Sequence, residues 1–310
     1  MSLSHAWQAI QEAKIIILLT HYKPDADGIS ACAALDHVLR RMGKTVQAVY
    51  PSKDESALKR QPLDVQIAQH TVTPDLLIAC DTANYDRLYF PEEFKTIPLI
   101  NIDHHISNAL QGIVNIVNPD AASTCEELFH LLMGWCPDLV DKYTAECLLF
   151  GILYDTQVFH TQSTSARVLK TAAACLEHGV NMFYLSRELL AHKDPRFLPF
   201  WGKALQSIKM DTKKQVLWVI VRQADLHASG LEMDALVGLN NFIAESSPLD
   251  TTITFYEDEQ GRTKVSLRSK TRDVNKIAGL FGGGGHTRAS GVLMAMPIDE
   301  AVEKLITAID

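Results

Sequence analysis

The sequence predicts an α/β fold, with an N-terminal parallel-sheet domain joined by a helical linker to a smaller α/β C-terminal domain. The first observation is a set of short apolar runs at residues 15–20, 75–80 and 98–102, each followed at once by acidic or imidazole side chains. Such runs are typical of buried parallel strands, although a buried helical turn has the same pattern. The second observation is that helical stretches separate the runs, which indicates βαβ units.

The elements of the first domain follow from local signals. Pro24 and Gly28 mark a loop after the first strand, and Gly43 ends the helix that comes next. Further strands are predicted at 45–50, 75–80, 98–102 and 112–117, and helices at 125–133, 163–177 and 181–191, with one more helix ending at 154–156. Ser123 is a suitable N-cap because Glu126 follows three residues later.

The pattern changes after residue 215, which indicates a second domain. Strands are predicted at 216–221, 251–256 and 262–268, and helices at 234–245 and 273–280. We therefore predict a catalytic domain at 1–192, a connecting helix at 193–213 and a substrate-binding domain at 214–310.

Composition restricts the class of protein. The chain has 310 residues, of which 47% are hydrophobic and 21% charged, as expected for a soluble globular protein. A net charge of −8 argues against a general nucleic-acid-binding surface. We expect no signal peptide and no membrane span. The six cysteines show no Cys-x-x-Cys pairing, which favours buried thiols and a cytoplasmic location. No protein partner is implied, and a homodimer is left open.

Side chains that bind metals follow four predicted element ends. They are His21, Asp25 and Asp27, then Asp81, then Asp103, His104 and His105, and finally Asp155. Ligands collect outside the carboxyl ends of parallel strands, and buried carboxylates that converge there require a cation. A His/Asp set without cysteine suits Mn²⁺ or a similar divalent ion, and its size suggests two ions that together activate a hydroxide. Taken alone, residues 103–105 also fit a hydrogen-bonded polar loop.

A second set of functional candidates surrounds four consecutive glycines at 282–285. Their backbone N–H groups can bind a phosphate, and His286, Arg288 and Ser290 follow directly, which is unlike a flexible linker. Basic residues concentrate nearby: Arg262, Lys264, Arg268, Lys270, Arg272, Lys276 and Arg288. Some of these also fit a solvated edge strand whose lysines prevent aggregation. A small basic cleft favours very short substrates over long duplexes.

The order and spacing of these motifs resemble the DHH phosphoesterase superfamily. The matching motifs are His-x-x-x-Asp-x-Asp-Gly at 21–28, Asp81, Asp-His-His at 103–105 and Asp155 before a threonine. The glycine-rich segment at 282–291 resembles that family's associated C-terminal domain. The motifs together span nearly the whole chain and look most like the bacterial nanoRNase/pAp phosphatase branch. Inorganic pyrophosphatases resemble the first domain equally well, but the glycine-rich motif argues against them.

The resemblance implies a role for each matching residue. One Mn²⁺ would be held by His21, Asp25 and Asp81, and the other by Asp27, Asp81, His104 and Asp155, with Asp81 bridging. His105 would face the scissile phosphate, and Asp103 would orient a histidine. The residues implied in substrate binding are Arg268, Gly284, Gly285, His286, Arg288 and Ser290. Gln157 stands where the family usually has a small glycine, which leaves the pocket shape near Asp155 open.

The resemblance also implies a Mn²⁺-dependent phosphoesterase that hydrolyses short oligonucleotides to 5′-mononucleotides, and 3′,5′-bisphosphoadenosine to AMP. Hydrolysis of a cyclic or linear di-adenylate is an alternative. A nucleotide- or RNA-binding regulator with a degenerate site is another, although every metal position is filled. Because the metal ligands precede residue 156 and the glycine run follows residue 260, we expect chemistry from the first domain and recognition of short nucleotides from the second.

Overall fold

The computed structural model describes residues 3–51, 65–89, 91–191, 195–231, 236 and 238–309. The chain divides into two compact units, Met1–His192 and Lys193–Asp310. Each unit has a six-stranded sheet and its own hydrophobic core. The predicted α/β fold, with a parallel sheet in the first domain, is therefore confirmed.

The first sheet is parallel throughout, and its strand order is β3-β2-β1-β4-β5-β6. Its strands are β1 (Ile15–Leu19), β2 (Thr45–Tyr50), β3 (Val65–Ile67), β4 (Leu76–Cys80), β5 (Leu99–Asp103) and β6 (Val114–Val117). The chain builds outward from β1 to β3 and then returns to β4, so the order reverses between β1 and β4. Sites in open α/β sheets form at such a reversal.

Helices complete the first unit. They are α1 (Leu3–Glu12), α2 (Ala26–Arg41), α3 (Thr124–Trp135), α4 (Lys142–Asp155), α5 (Ala166–Glu177) and α6 (Met182–Ala191). Ser123 caps α3, since its hydroxyl accepts the N–H of Glu126 at 3.0 Å. Side-chain caps satisfy backbone donors that the first helical turn leaves unpaired, and this one fixes where α3 begins, beside the polar ends of β4 and β5.

The second unit has a mixed sheet with the order β11-β12-β10-β9-β8-β7, in which only β8 and β9 are parallel to each other. Its strands are β7 (Lys209–Asp211), β8 (Val216–Val221), β9 (Thr251–Glu257), β10 (Thr263–Ser269), β11 (Gly284–His286) and β12 (Ala289–Met294). Its helices are α7 (Phe197–Gln206), α8 (Gln223–Ser229), α9 (Leu239–Ser246), α10 (Val274–Gly279) and α11 (Ile298–Thr307). In the described part of the chain, no helix is both long and apolar enough to cross a membrane.

The helix predicted to connect the domains is shorter in the structure than in the prediction of 193–213. Helix α7 ends at Gln206, and the residues after it form β7, while 193 and 194 lie outside the described residues. Ser207 explains the early end, because its hydroxyl accepts the N–H of Ile220 at 3.0 Å and so ties the chain to β8. The helix predicted at 234–245 begins at Leu239 in the described residues, and 234, 235 and 237 lie outside them.

Candidate active site

The loop after β1 brings three candidate ligands to one edge of the sheet. Asp25 caps α2, with its Oδ1 accepting the N–H groups of Asp27 and Gly28 at 3.1 and 3.3 Å. Its Oδ2 lies 3.7 Å from Nε2 of His21. Asp27 is fully buried, and its two oxygens accept the N–H groups of Thr124 and Cys125 at 2.7 and 3.1 Å, at the start of α3. The amino end of a helix favours a carboxylate in this position.

Asp81 lies at the centre of the candidate site, directly after β4. Its φ angle is +57°, in the left-handed region that aspartate tolerates better than most residues. One carboxylate oxygen lies 3.5 Å from Nε2 of His21, and the other lies 3.7 Å from Nε2 of His104. The second oxygen also accepts the Thr124 hydroxyl at 3.1 Å. Asp81 is therefore the residue that contacts both halves of the cluster.

Residues 103–105 leave the end of β5 with different partners. Asp103 is fully buried, and its Oδ1 lies 2.8 Å from Nδ1 of His105, while its Oδ2 accepts the side-chain amide of Asn108. His104 points the other way: its Nε2 lies 3.3 Å from Oδ2 of Asp155, and its Nδ1 faces the Ala121 carbonyl at 3.3 Å. The two histidines are thus held by different groups, although their rings are 4.7 Å apart.

Asp155 reaches the cluster from the last turn of α4. Gly151 lies one turn earlier on the same face of the helix, and a Cβ there would be 2.7 Å from Oδ1 of Asp27 and 2.4 Å from Sγ of Cys125. Gly28 has a similar role, since its Cβ would be 2.3 Å from the Thr20 hydroxyl. Gly151 lets α4 approach α2 and α3, and Gly28 lets α2 approach the ends of β1 and β4, so that the acidic groups converge.

The converging side chains form three overlapping groups that can hold a metal ion. The groups are His21 with Asp25 and Asp81, Asp27 with His104 and Asp155, and Asp81 with His104 and His105, and in each the candidate ligand atoms lie within 4.8 Å of one another. The structure thus brings together all six residues predicted to bind metal. Imidazole and carboxylate donors without a thiolate fit divalent ions such as Mn²⁺.

The electrostatics of the cluster also fit a cation. Burial, together with the negative charges of Asp81 and Asp25, raises the pKa of Asp27 to about 8. Burial and the negative charges of Asp27, Asp81 and Asp25 raise the pKa of Asp155 well above its usual value. Burial opposes protonation of His21, but contacts with Asp25 and Asp81 outweigh it and raise its pKa to about 10. Protons thus offset the crowded negative charge, and a bound cation would displace them.

Several residues that support the cluster were not identified from the sequence. Thr124 contacts both Asp27 and Asp81, and Arg87 contacts Nδ1 of His21 at 2.8 Å. Asn108 holds the carboxylate of Asp103. Thr124 follows the predicted N-cap Ser123, but nothing in the local sequence indicates that it contacts Asp27 and Asp81, which lie much earlier in the chain.

The chain after Asp155 has an unusual backbone. Gln157, Val158 and Phe159 have φ angles of 48°, 58° and 64°, all in the left-handed region. The hydroxyl of Thr156 supports the turn by accepting the N–H of Phe159 at 3.0 Å. A glycine at 157 would adopt this conformation more readily than glutamine does. Gln157, which departs from the family pattern, therefore has a strained backbone.

The candidate substrate residues of the second unit separate into two sets. Arg268 on β10 and His286 on β11 both pair with Ala289 of β12, so they lie on the same face of the sheet, and Gly284 shares that face. Gly285 and Ser290 pair with each other on the opposite face. The two sets therefore cannot all contact one ligand through their side chains.

Arg268 contributes to a pocket of about 270 Å³ within the second unit, together with Asn240, Asn241, Tyr256, Lys264 and Ser266. Its Nε donates to Oδ1 of Asn241 at 2.9 Å. Burial lowers the pKa of Arg268, and no carboxylate pairs with it among the described residues. A partly buried cation without an acidic partner favours an anionic ligand.

The glycine run forms a tight edge hairpin. A Cβ on Gly283 would be 2.4 Å from the Gly291 carbonyl oxygen, and Gly285, with φ +146°, would place one 2.7 Å from the Ala289 carbonyl oxygen. Ser290 is buried and donates its hydroxyl to the His286 carbonyl at 2.7 Å. Close packing of β11 on β12 is therefore sufficient to explain Gly283, Gly285 and Ser290. The side chains of His286 and Arg288 remain exposed.

The close approach at Gly151 gives a first testable prediction. Gly151→Ala is expected to destabilise the protein by about 1–3 kcal/mol, the usual cost of overpacking a core, and to weaken Mn²⁺ binding because Asp27 must move. Urea unfolding and calorimetric Mn²⁺ titration measure the two effects. The matched control is Gly134→Ala on α3, where a Cβ meets nothing within 4 Å. Equal behaviour of the two variants would contradict the packing role of Gly151.

Comparison with known proteins assigns both units to a family. Residues 14–152 match the N-terminal domain of the DHH family, and residues 211–310 match the DHHA1 domain. The fold and the site thus define a DHH-family protein, and the chain belongs to that family in its two-domain form. The resemblance predicted from the motifs is confirmed.

Curated relatives match this chain over most of their length. A Thermus thermophilus protein named bifunctional oligoribonuclease and PAP phosphatase NrnA is 28% identical over 307 residues, covering 95% of this chain and 89% of the relative. The Bacillus subtilis protein of the same name is 25% identical over 288 residues, covering 89% of this chain and 88% of the relative.

Solved structures share the fold. An exopolyphosphatase-related protein from Bacteroides fragilis superposes with a TM-score of 0.87 at 23% identity, covering 99% of this chain and 95% of that one. RecJ from Thermus thermophilus, solved in complex with Mn²⁺, gives 0.55 at 14% identity, covering 99% of this chain and 54% of RecJ. At these identities the likeness concerns the fold alone.

Proposed function

We propose that this chain is a phosphoesterase that uses two divalent metal ions to hydrolyse short oligonucleotides to 5′-mononucleotides and 3′,5′-bisphosphoadenosine to AMP. The observation that carries the proposal is the convergence of His/Asp groups from the ends of β1, β4, β5 and α4. Relatives named for the same two activities match nearly the whole chain, which supports these substrates. All six cysteines are free, as is typical of the cytoplasm, where we place the enzyme.

The proposed metal assignment divides the cluster at Asp81. His21, Asp25 and Asp81 bind one ion, while Asp27, Asp81, His104 and Asp155 bind the other. The two groups of ligand atoms that exclude His105 support this division, and the contacts of Asp81 with both His21 and His104 support its bridging role. We propose Mn²⁺ because the donor set suits it. When bound, two such ions supply a hydroxide nucleophile and stabilise charge on the phosphate.

We assign His105 to the substrate and Asp103 to positioning it. Asp103 lies 2.8 Å from Nδ1 of His105, and the same nitrogen is the one that lies 3.6 Å from Asp81. Because Nδ1 cannot donate to Asp103 and bind a metal at once, the contact with Asp103 favours a histidine outside the metal shell. Its Nε2 then faces the substrate, where it donates a proton to the leaving oxygen or stabilises charge.

We assign recognition of the nucleotide to the second domain. The partly buried guanidinium of Arg268 and the exposed side chains of His286 and Arg288 supply positive or donor groups for a terminal phosphate. Gly284, where a Cβ would meet the side chain of Asn275 at 3.8 Å without a clash, lies on the same face as Arg268 and lets a ligand approach the backbone. Phosphate contacts of this kind give affinity without sequence preference.

Arg268→Gln tests this division of labour. We expect the variant to raise KM for a dinucleotide by about tenfold or more, because a charge-assisted hydrogen bond contributes roughly 1.5–3 kcal/mol. Bis-p-nitrophenyl phosphate, which is too small to need the second domain, should be hydrolysed nearly as fast as by the wild type. Arg262→Gln is the control, since Arg262 pairs with Asp258 at 2.8 Å. An equal fall for both substrates would assign Arg268 to chemistry or folding instead.

A product assay tests the function itself. The Mn²⁺-loaded protein is incubated with dinucleotides, longer RNA, 3′,5′-bisphosphoadenosine and cyclic di-AMP, and the products are separated by chromatography. We expect mononucleotides from the dinucleotides and AMP from the bisphosphate, with slower turnover of longer RNA. Turnover of cyclic di-AMP alone would assign the chain to the di-adenylate alternative. Binding of short RNA without turnover would identify a regulator.

A further inference from the structure

Arg87 lies beside the metal-binding cluster without a role in the assignment above. It belongs to a single helical turn, Tyr85–Arg87, that follows Asp81 and the end of β4. Its carbonyl accepts the N–H of Tyr22 at 2.6 Å, which ties this turn to the loop that carries His21. Its Nη2 lies 2.8 Å from Nδ1 of His21. No carboxylate among the described residues forms an ion pair with Arg87.

The contact with His21 is incompatible with a metal-bound imidazole. If Nε2 of His21 binds a metal, the neutral ring carries its proton on Nδ1. That N–H then donates to the carbonyl of Tyr22, which lies 2.9 Å from Nδ1. Nδ1 cannot then accept from Arg87. The guanidinium therefore has no acceptor at His21 in the metal-loaded site, while the backbone contact of Arg87 with Tyr22 keeps this residue at the edge of the cluster.

The charge balance of the loaded cluster points to an anionic partner. Two divalent ions would neutralise the carboxylates of Asp25, Asp27, Asp81 and Asp155, and Arg87 would then add a positive charge. A planar guanidinium beside His21, at the edge of the cluster, is well placed for a phosphate.

We infer that Arg87 is a catalytic residue that binds a non-bridging oxygen of the scissile phosphate at the edge of the metal-binding cluster. The inference rests on the proposed phosphoesterase function. The guanidinium would hold the phosphate against the two ions and stabilise the charge that develops on its oxygens. Because the scissile phosphate is common to all substrates, the contribution of Arg87 is independent of the nucleotide.

Arg87→Gln and Arg87→Lys test the inference in the Mn²⁺-loaded full chain. We expect Arg87→Gln to lower kcat/KM about 10²-fold for both a dinucleotide and bis-p-nitrophenyl phosphate, as for loss of one electrostatic stabiliser. Calorimetry should show inorganic phosphate binding weakened about tenfold or more, with Mn²⁺ affinity within about twofold of the wild type. Arg87→Lys should restore part of the phosphate affinity. Arg222→Gln, which removes an exposed partner of Asp299, is the control.

Two outcomes would overturn the inference. Unchanged phosphate affinity in Arg87→Gln would show that the guanidinium does not contact the anion. A fall in Mn²⁺ affinity that accounts for the loss of activity would show that Arg87 only supports His21. Phosphate binding is measured without turnover, so it tests the role of Arg87 independently of catalysis. If the wild type hydrolysed neither substrate, that result would reject the proposed function and not the role of Arg87.

Discussion

Replacing Asp81 with asparagine is expected to abolish turnover of every substrate, with a fall in kcat of at least about 10³-fold, above the usual cost of a single electrostatic stabiliser. Asp81 contacts the histidines of both proposed metal sites, and an amide binds divalent cations more weakly than a carboxylate does. Elemental analysis of the purified variant should show less bound Mn²⁺. The kcat for a dinucleotide and the metal content are the two measurements.

Thermal unfolding separates this effect from a general loss of stability. Mn²⁺ should raise the melting temperature of the wild type, because a ligand that binds only the folded state stabilises it, and should have little effect on Asp81→Asn. Without metal the variant should have a stability similar to that of the wild type, since it loses the attraction between Asp81 and His21 but also one of several crowded negative charges. Asp138→Asn, at an exposed position, is the control. Full Mn²⁺ binding by Asp81→Asn would refute the bridging role.

Replacing His105 with glutamine is expected to lower kcat about 10²- to 10³-fold while both ions remain bound. The physical reason is that the contact of Nδ1 with Asp103 leaves Nε2 for the substrate. Asp103→Asn should lower kcat less, because the ring loses its orientation but remains present. The double variant should be no slower than His105→Gln, as expected for residues that act as a unit.

Metal stoichiometry decides between this role and the alternative. One candidate ligand atom each from Asp81, His104 and His105 lies within 4.8 Å of the others, so His105 can be a metal ligand instead. Loss of one Mn²⁺ per chain in His105→Gln would establish that alternative and reverse our division between His104 and His105. His5→Gln, on the exposed face of α1, is the control for loss of an imidazole.

The sequence by itself determined the parallel sheet of the first domain and the place of its polar groups. Short apolar runs identify β1, β4 and β5, and the polar residues that follow them must meet, because parallel strands end at the same edge of the sheet. The motif resemblance led to the family that the domain matches confirm. These features depend on residues close together in sequence, which a local pattern can show.

Only the tertiary structure decided which groups support the cluster. Thr124 and Asp27 are 97 residues apart, and Arg87 and His21 are 66 apart, so no local pattern predicts either contact. The need for glycine at 151 arises where three helices pack together. Strand pairing likewise separated Arg268 and His286 from Gly285 and Ser290, because side chains alternate between the two faces of a sheet and the register is a property of the folded chain.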